Sequence, residues 1–65
     1  LFLINHTSAM INISNKIYDE NDEIIGEVMS HNQVIEKEMI CLAVIRLDSI
    51  EKILFVNDQK VNIVN

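Results

Sequence analysis

Short apolar runs rich in isoleucine recur along this chain about every 8–12 residues, and polar clusters separate them. Isoleucine is branched at Cβ and stiff at its first side-chain torsion, so it favours strands. Runs of this length and spacing are typical of a barrel or a sandwich. We therefore predict an all-β fold for residues 1–65, a single small antiparallel barrel of five or six strands with at most one or two short helical turns.

The apolar runs place the predicted strands along the chain. They fall at residues 1–4, 10–13 with 17–18 after a kink, 23–30, 38–47, 52–56 and 60–64, with a loop from residue 31 and a brief helical turn at 48–51. The run at 38–47 is apolar on both faces, which predicts a central strand or one covered by a neighbouring domain. Residues 33–47 also fit the spacing of an amphipathic helix, and the pattern alone leaves that alternative open.

The length of the chain limits how it can be stabilised. A chain of 65 residues buries only about 60% of the surface that its unfolded form exposes. Cys41 is the only cysteine, so no internal disulfide forms, and His6 and His31 are too few and too scattered for a structural zinc site. We therefore expect a partner surface to stabilise the barrel. The chain begins at Leu1 rather than methionine, which favours a segment of a larger protein whose remainder is that partner.

The charge balance argues against two classes of partner. Ten acidic and five basic residues give a net charge of −5, and the basic residues are spread singly. Nucleic acids and anionic membranes are bound by clustered lysine and arginine, so we expect neither partner. No apolar run approaches the roughly 20 residues that a spanning helix needs. We expect a soluble protein in a reducing compartment.

The candidate chemical groups do not combine into a catalytic or metal site. The acidic run at residues 19–23 lacks the glycine of a calcium-binding EF-hand loop, because Ile24 stands in that position, and it predicts a solvated β-turn. His6 and His31 lie in polar breaks without an oxyanion-type glycine motif, which predicts surface histidines. Cys41 lies in an apolar run and is predicted to be buried and unreactive. We expect no catalysis and no cofactor or metal site in these residues.

Two features point to a structural role. Gly26 is the only glycine and lies within a predicted strand, where glycine marks a bulge or the close approach of another backbone. Arg46 and Asp48 fall on the same face if the strand continues that far, so we expect an ion pair. A pair at a domain seam and a pair at a free edge are equally consistent with the sequence.

Two segments resemble a known family. Residues 24–30 (IIGEVMS) are similar to the hydrophobic-Gly-x-Val-x-Ser strand in the C-terminal barrel of YgfZ-like folate-binding proteins, which are relatives of the glycine-cleavage aminomethyltransferase GcvT. Residues 42–48 (LAVIRLD) resemble the Arg-Asp strand that follows it there. An opening strand at residues 1–3 and a last hairpin complete the same order over nearly the whole chain. The diagnostic K-G-C-Y-x-G-Q-E segment of that family lies upstream of its barrel and does not occur in these residues.

The resemblance implies a C-terminal barrel that docks on a larger folate-binding body. It favours a strand at residues 33–47, and it implies that Gly26, Ser30, Arg46 and Asp48 have structural or domain-interface roles. The parent protein would bind tetrahydrofolate and support iron–sulfur cluster assembly or repair and tRNA modification, in the bacterial cytoplasm or the mitochondrial matrix. The alternative is an independent small barrel that mediates protein–protein interaction.

Overall fold

The computed structural model describes residues 1–6, 11–35 and 38–64. Within them the chain is built from strands, with one turn of 3-10 helix at Leu47–Ser49. The strands are β1 (Phe2–His6), β2 (Lys16–Tyr18), β3 (Ile24–Val28), β4 (Gln33–Ile35), β5 (Glu38–Ile45), β6 (Leu54–Val56) and β7 (Gln59–Val64). The all-β prediction is confirmed. The helix considered for residues 33–47 is wrong, because β4 and β5 in that segment pair with each other.

Six of these strands close into an antiparallel barrel in the order β1-β7-β6-β2-β3-β5, with β5 pairing back onto β1. Strand β5 is central to the closure. One of its edges pairs with β1 from Met39 to Ala43, and its other edge pairs first with β4 and then with β3. Strand β4 therefore lies outside the ring, in line with β3. It replaces part of the loop that the sequence predicted after residue 31.

The second predicted strand is shorter than expected. Only Lys16–Tyr18 forms a strand, residues 11–15 do not, and residue 10 is outside the described residues. A turn interrupts the run: the backbone N–H of Asn15 donates to the carbonyl of Asn12 (3.1 Å), and Ser14 has a φ of 72°. The side-chain Oδ1 of Asn15 in turn accepts a hydrogen bond from the backbone N–H of Asn12 at 2.8 Å. Polar residues that bond their own backbone thus end the strand pattern here.

Alternate side chains point into the barrel and fill its interior, as strand geometry requires. The apolar residues of this core, drawn from every strand of the ring, are Ile4, Ile11, Ile17, Ile25, Val28, Cys41, Ala43, Ile45, Leu54, Val56 and Val61. Most of them are isoleucine or valine, whose branched side chains pack well between strands. The interior is therefore a packed core.

A two-residue turn joins β6 and β7. Val56 and Gln59 are paired across the hairpin, which leaves Asn57 and Asp58 as the loop. Their φ angles are 51° and 62°, so both residues are in the left-handed region. This is the arrangement of a type I′ turn, whose twist matches that of the flanking strands. Asparagine suits the first position, whereas glycine is the preferred residue at the second.

We expect Asp58→Gly to stabilise the protein by about 0.5–1 kcal/mol, because glycine adopts a positive φ without the steric cost that a Cβ adds. Asp58→Ala is the charge-matched control and should be destabilising, since alanine keeps the Cβ and adopts a positive φ less readily than aspartate does. Urea melts followed by circular dichroism compare the three midpoints. A lower midpoint for the glycine variant than for the alanine variant would contradict this account of the turn.

Candidate functional site

The sequence singled out four residues, and they lie in two places, at opposite ends of the pairing between β3 and β5: Gly26, Ser30, Arg46 and Asp48. Gly26 pairs with Ile45, and the N–H of Arg46 donates to the carbonyl of Ile25 at 2.9 Å, so Gly26 and Arg46 lie at the same end of this pairing. Both line a shallow cavity of about 340 Å³ on the outer surface. Ser30 lies at the other end of β3. These residues therefore do not converge on one site.

Gly26 lies where the backbones of β3 and β5 leave no room for a side chain. A Cβ at this position would lie 2.3 Å from the carbonyl oxygen of Val44 and 3.2 Å from the Cα of Ile45. The pairing with β2 also shifts here, since Ile17 is opposite Gly26 but Tyr18 is opposite Ile24. The φ of Gly26 is not positive, so glycine is required because there is no room for a Cβ and not because of the backbone conformation. This is the close backbone approach that the sequence predicted.

We expect Gly26→Ala to destabilise the protein by about 1–3 kcal/mol, because a methyl group cannot fit against the Val44 carbonyl unless the two strands separate. Strand propensity alone would give the opposite sign, since glycine weakens a regular strand. Gly26→Val should cost at least as much. Urea melts of both variants measure the effect, and a midpoint equal to that of the unmodified protein would show that the strands tolerate a side chain here.

The Ser30 side chain extends the hydrogen bonding to β5 between the end of β3 and the start of β4. The N–H of Met29 donates to the carbonyl of Leu42 at 2.8 Å, and the N–H of Leu42 donates to Oγ of Ser30 at 2.8 Å. The hydroxyl thus takes the place of a backbone carbonyl in the ladder. This hydrogen bond satisfies a backbone donor of β5 at the point where the chain leaves the strand, which gives Ser30 a structural contact within the barrel wall.

The ion pair expected after β5 is present. Nη2 of Arg46 donates to Oδ2 of Asp48 at 2.9 Å, and the hydroxyl of Ser49 donates to Oδ1 at 3.1 Å. Arg46, followed by Ser49, lowers the pKa of the Asp48 carboxyl. Both members of the pair are exposed, so the pair itself adds little stability. Whether it lies at a domain seam stays a prediction.

The prediction of a surface histidine is wrong for His6, which is only 4% exposed. Its Nε2–H donates to Oδ1 of Asn32 at 2.7 Å, because the Asn32 amide nitrogen donates in turn to the carbonyl of Ile11. Its Nδ1 atom has no hydrogen-bond partner among the residues that the structure describes. His31 is exposed, as expected. Cys41 is buried as predicted, and burial raises the pKa of its thiol.

The acidic segment between β2 and β3 forms the predicted turn, but its first residue is buried rather than solvated. Oδ1 of Asp19 accepts the N–H groups of Asn21 (2.8 Å) and Glu23 (3.0 Å), and Nζ of Lys52 lies 3.4 Å from Oδ2. The hydrogen bond from Glu23, with those from Asn21 and Lys52, holds the pKa of Asp19 below its usual value against the effect of burial. The sequence missed this role, because Lys52 is distant along the chain.

The lowered pKa of Asp19 gives stability a pH dependence whose sign is fixed. The folded state binds a proton at Asp19 less readily than the unfolded chain, so this stabilisation is present above about pH 4 and is lost on acidification below it. We expect Asp19→Asn, which keeps the Oδ1 acceptor, to flatten the fall in unfolding free energy on acidification below about pH 4.

Asp48→Asn is the comparison for this pH effect, because the pKa of Asp48 is also lowered but its carboxylate is exposed and screened by solvent. The unfolding free energy of the three proteins, measured by urea melts at several pH values, tests the assignment. A larger change of slope for Asp48→Asn than for Asp19→Asn would contradict it.

An open cleft of about 630 Å³ lies on the outer wall formed by β2 and β6. Tyr18 and Phe55 are paired across these strands and form its floor. Glu20 and Asp22 lie on its wall from the β2–β3 turn, and Asp58 does so from the β6–β7 turn. We call this cleft the aromatic groove. The sequence did not predict it, because no local pattern shows that Tyr18 and Phe55 are neighbours.

A second surface lies on the outer side of β1 and β5. Leu3 is paired with Leu42 on one side and with Val64 on the other, and Val44 follows two residues after Leu42 on the same face of β5. Leu3 and Val44 are exposed, as are the nearby Leu1 and Met29. We call Leu1, Leu3, Met29, Leu42, Val44 and Val64 the outer apolar face.

Comparison with known proteins identifies no relative: no family model, curated protein or solved structure matches this chain. No group of three or more metal-ligating side chains is found in residues 1–6, 11–35 and 38–64. The same residues contain no helix with the length and apolar character needed to cross a membrane.

Proposed function

We propose that this barrel is a non-catalytic docking domain of a YgfZ-like folate-binding protein. In this proposal the outer apolar face packs against the remainder of the same polypeptide. The parent protein would bind tetrahydrofolate and support iron–sulfur cluster assembly or repair and tRNA modification. The observation that carries the docking role is the outer apolar face, and the family and its folate chemistry rest on the sequence resemblance.

The composition of the outer apolar face supports docking. Residues 1–6 contain no lysine, arginine, aspartate or glutamate, so β1 presents an uncharged surface between β7 and β5. Three apolar side chains lie side by side across these strands, at Leu42, Leu3 and Val64. Contiguous apolar surface of this kind is typical of an interface with another protein surface. Glu27, which is opposite Val44 across β3 and β5, is already paired with Lys16.

The contacts of Gly26 and Ser30, which belong to the segment that resembles the family's strand, also support a structural role. Gly26 permits the approach of β3 to β5, and the Ser30 hydroxyl accepts a backbone N–H of β5. Both contacts belong to the barrel wall. These residues thus serve the shape of the domain, which fits a domain that positions another part of the protein rather than one that carries a reaction.

We expect the 65-residue chain to bind tetrahydrofolate weakly or not at all, because pockets of this kind form between domains and the barrel supplies one wall. In the parent protein, Leu3→Glu and Val44→Glu should weaken tetrahydrofolate binding at least tenfold, since a buried carboxylate would oppose docking. In the 65-residue chain the same changes should alter the unfolding midpoint little, because both positions are exposed. Titration calorimetry and urea melts measure the two effects.

Ile53→Glu is the matched control. Ile53 is 39% exposed, close to Leu3 at 44% and Val44 at 45%, but it directly precedes β6, which is not a neighbour of β1 or β5 in the ring. It should leave tetrahydrofolate binding by the parent protein unchanged. Micromolar folate binding by residues 1–65 alone would contradict the proposal. So would equal binding by the Leu3→Glu, Val44→Glu and unmodified forms of the parent protein.

A further inference from the structure

The aromatic groove combines two aromatic surfaces with carboxylates. Tyr18 and Phe55 are neighbours across β2 and β6, and both are half-buried because Ile17 and Leu54, which precede them, point into the core. Their outward surfaces form the floor of a cleft of about 630 Å³. Aromatic rings attract cations that lie over their faces, so a cleft lined by two rings favours a cationic group.

The charged side chains that line the groove are all acidic, although Lys60 is paired with Phe55 on the neighbouring strand β7. The exposed carboxylates on its wall are Glu20, Asp22 and Asp58, and among the described residues none of them forms an ion pair. Asp19, which also lines the groove, is paired with Lys52. No described lysine or arginine is part of the lining. The groove is thus apolar at its floor and negative along its wall, which is complementary to a positively charged group with a flat surface.

The guanidinium of arginine has the required chemistry. It stacks on aromatic faces, and its planar set of N–H donors matches carboxylate oxygens in pairs. Two tight turns hold the carboxylates on either side of the floor: the Asp19 side chain braces the turn that carries Glu20 and Asp22, and the β6–β7 hairpin presents Asp58. An arginine side chain lying across Tyr18 and Phe55 would reach these carboxylates.

We propose that the aromatic groove binds an arginine-bearing peptide segment of a partner protein. In the ring of six strands, β2 and β6 are diametrically opposite β1 and β5. The groove therefore faces away from the outer apolar face and stays accessible when that face is covered. This proposal does not depend on folate binding or on the identity of the parent protein, because it rests on the groove alone.

The test titrates the full 65-residue chain with a fluorescein-labelled peptide, Gly-Arg-Gly-Arg-Gly, and with the same peptide carrying citrulline, which has the shape of arginine without its charge. Fluorescence anisotropy at low salt should show binding of the arginine peptide at least tenfold tighter than that of the citrulline peptide. Amide resonances of Tyr18, Glu20, Phe55 and Asp58 should shift in the complex, while those of Leu42 and Val44 should not.

Two charge-matched triple variants separate the groove from the overall negative charge. Glu20→Gln, Asp22→Asn and Asp58→Asn together should weaken arginine-peptide binding at least tenfold. Asparagine tolerates the positive φ of Asp22 and Asp58, so this variant keeps both turns. Glu38→Gln, Asp48→Asn and Glu51→Gln remove the same charge from exposed positions elsewhere and should weaken binding less than about twofold, because distant charges are screened.

Phe55→Leu keeps an apolar side chain without the aromatic face and should weaken binding several-fold. Circular dichroism verifies that each variant is folded. The triple variant at Glu20, Asp22 and Asp58 tests the groove even if Phe55→Leu does not fold. The proposal is overturned if the two triple variants weaken binding equally, because net charge alone would then explain the affinity. Equal binding of the arginine and citrulline peptides, or resonance shifts on the outer apolar face instead, would also overturn it.

Discussion

The closure of the barrel depends on the contact between β3 and β5 at Gly26. Strand β5 pairs with β1 along one edge and with β3 and β4 along the other, so it holds together the first and the middle parts of the chain. At Ala43 both edges are occupied, by Phe2 on one side and Val28 on the other. A side chain at Gly26 would force β3 away from β5 beside this point. Closure pairs the strand edges that an open sheet would leave exposed, so the only glycine of the chain permits the contact on which the closed ring depends.

The sequence predicts those parts of the fold that depend on local pattern. The isoleucine-rich runs located the strands of the ring, and the isolated glycine indicated a close backbone approach. The sequence pattern did not show which face of β1 points inward, because residues 1–4 are apolar on both faces. The local pattern predicted a loop from residue 31 where β4 forms, because β4 is short and begins with a glutamine, and its pairing partner is β5.

The burial of two polar residues also lay beyond the local pattern. His6 is buried through a hydrogen bond to Asn32, and Asp19 through the approach of Lys52. These partners are 26 and 33 residues away along the chain. A polar residue in a polar segment predicts exposure when only its neighbours are considered, and only the closed ring brings its distant partner into contact. The aromatic groove escaped prediction for the same reason, since Tyr18 and Phe55 belong to distant strands.

The small size of the barrel restricts where any binding can take place. Among the described residues, its interior is filled by isoleucine and valine side chains from every strand of the ring, as in other barrels of few strands. The outer wall is therefore the surface on which a partner can bind. On that wall the polarity is divided by strand: β1 carries no charged residue, whereas the turns at the ends of β2 and β6 carry Glu20, Asp22 and Asp58. Because these strands are opposite each other in the ring, an uncharged partner surface and a basic segment can occupy the two walls at the same time without competing.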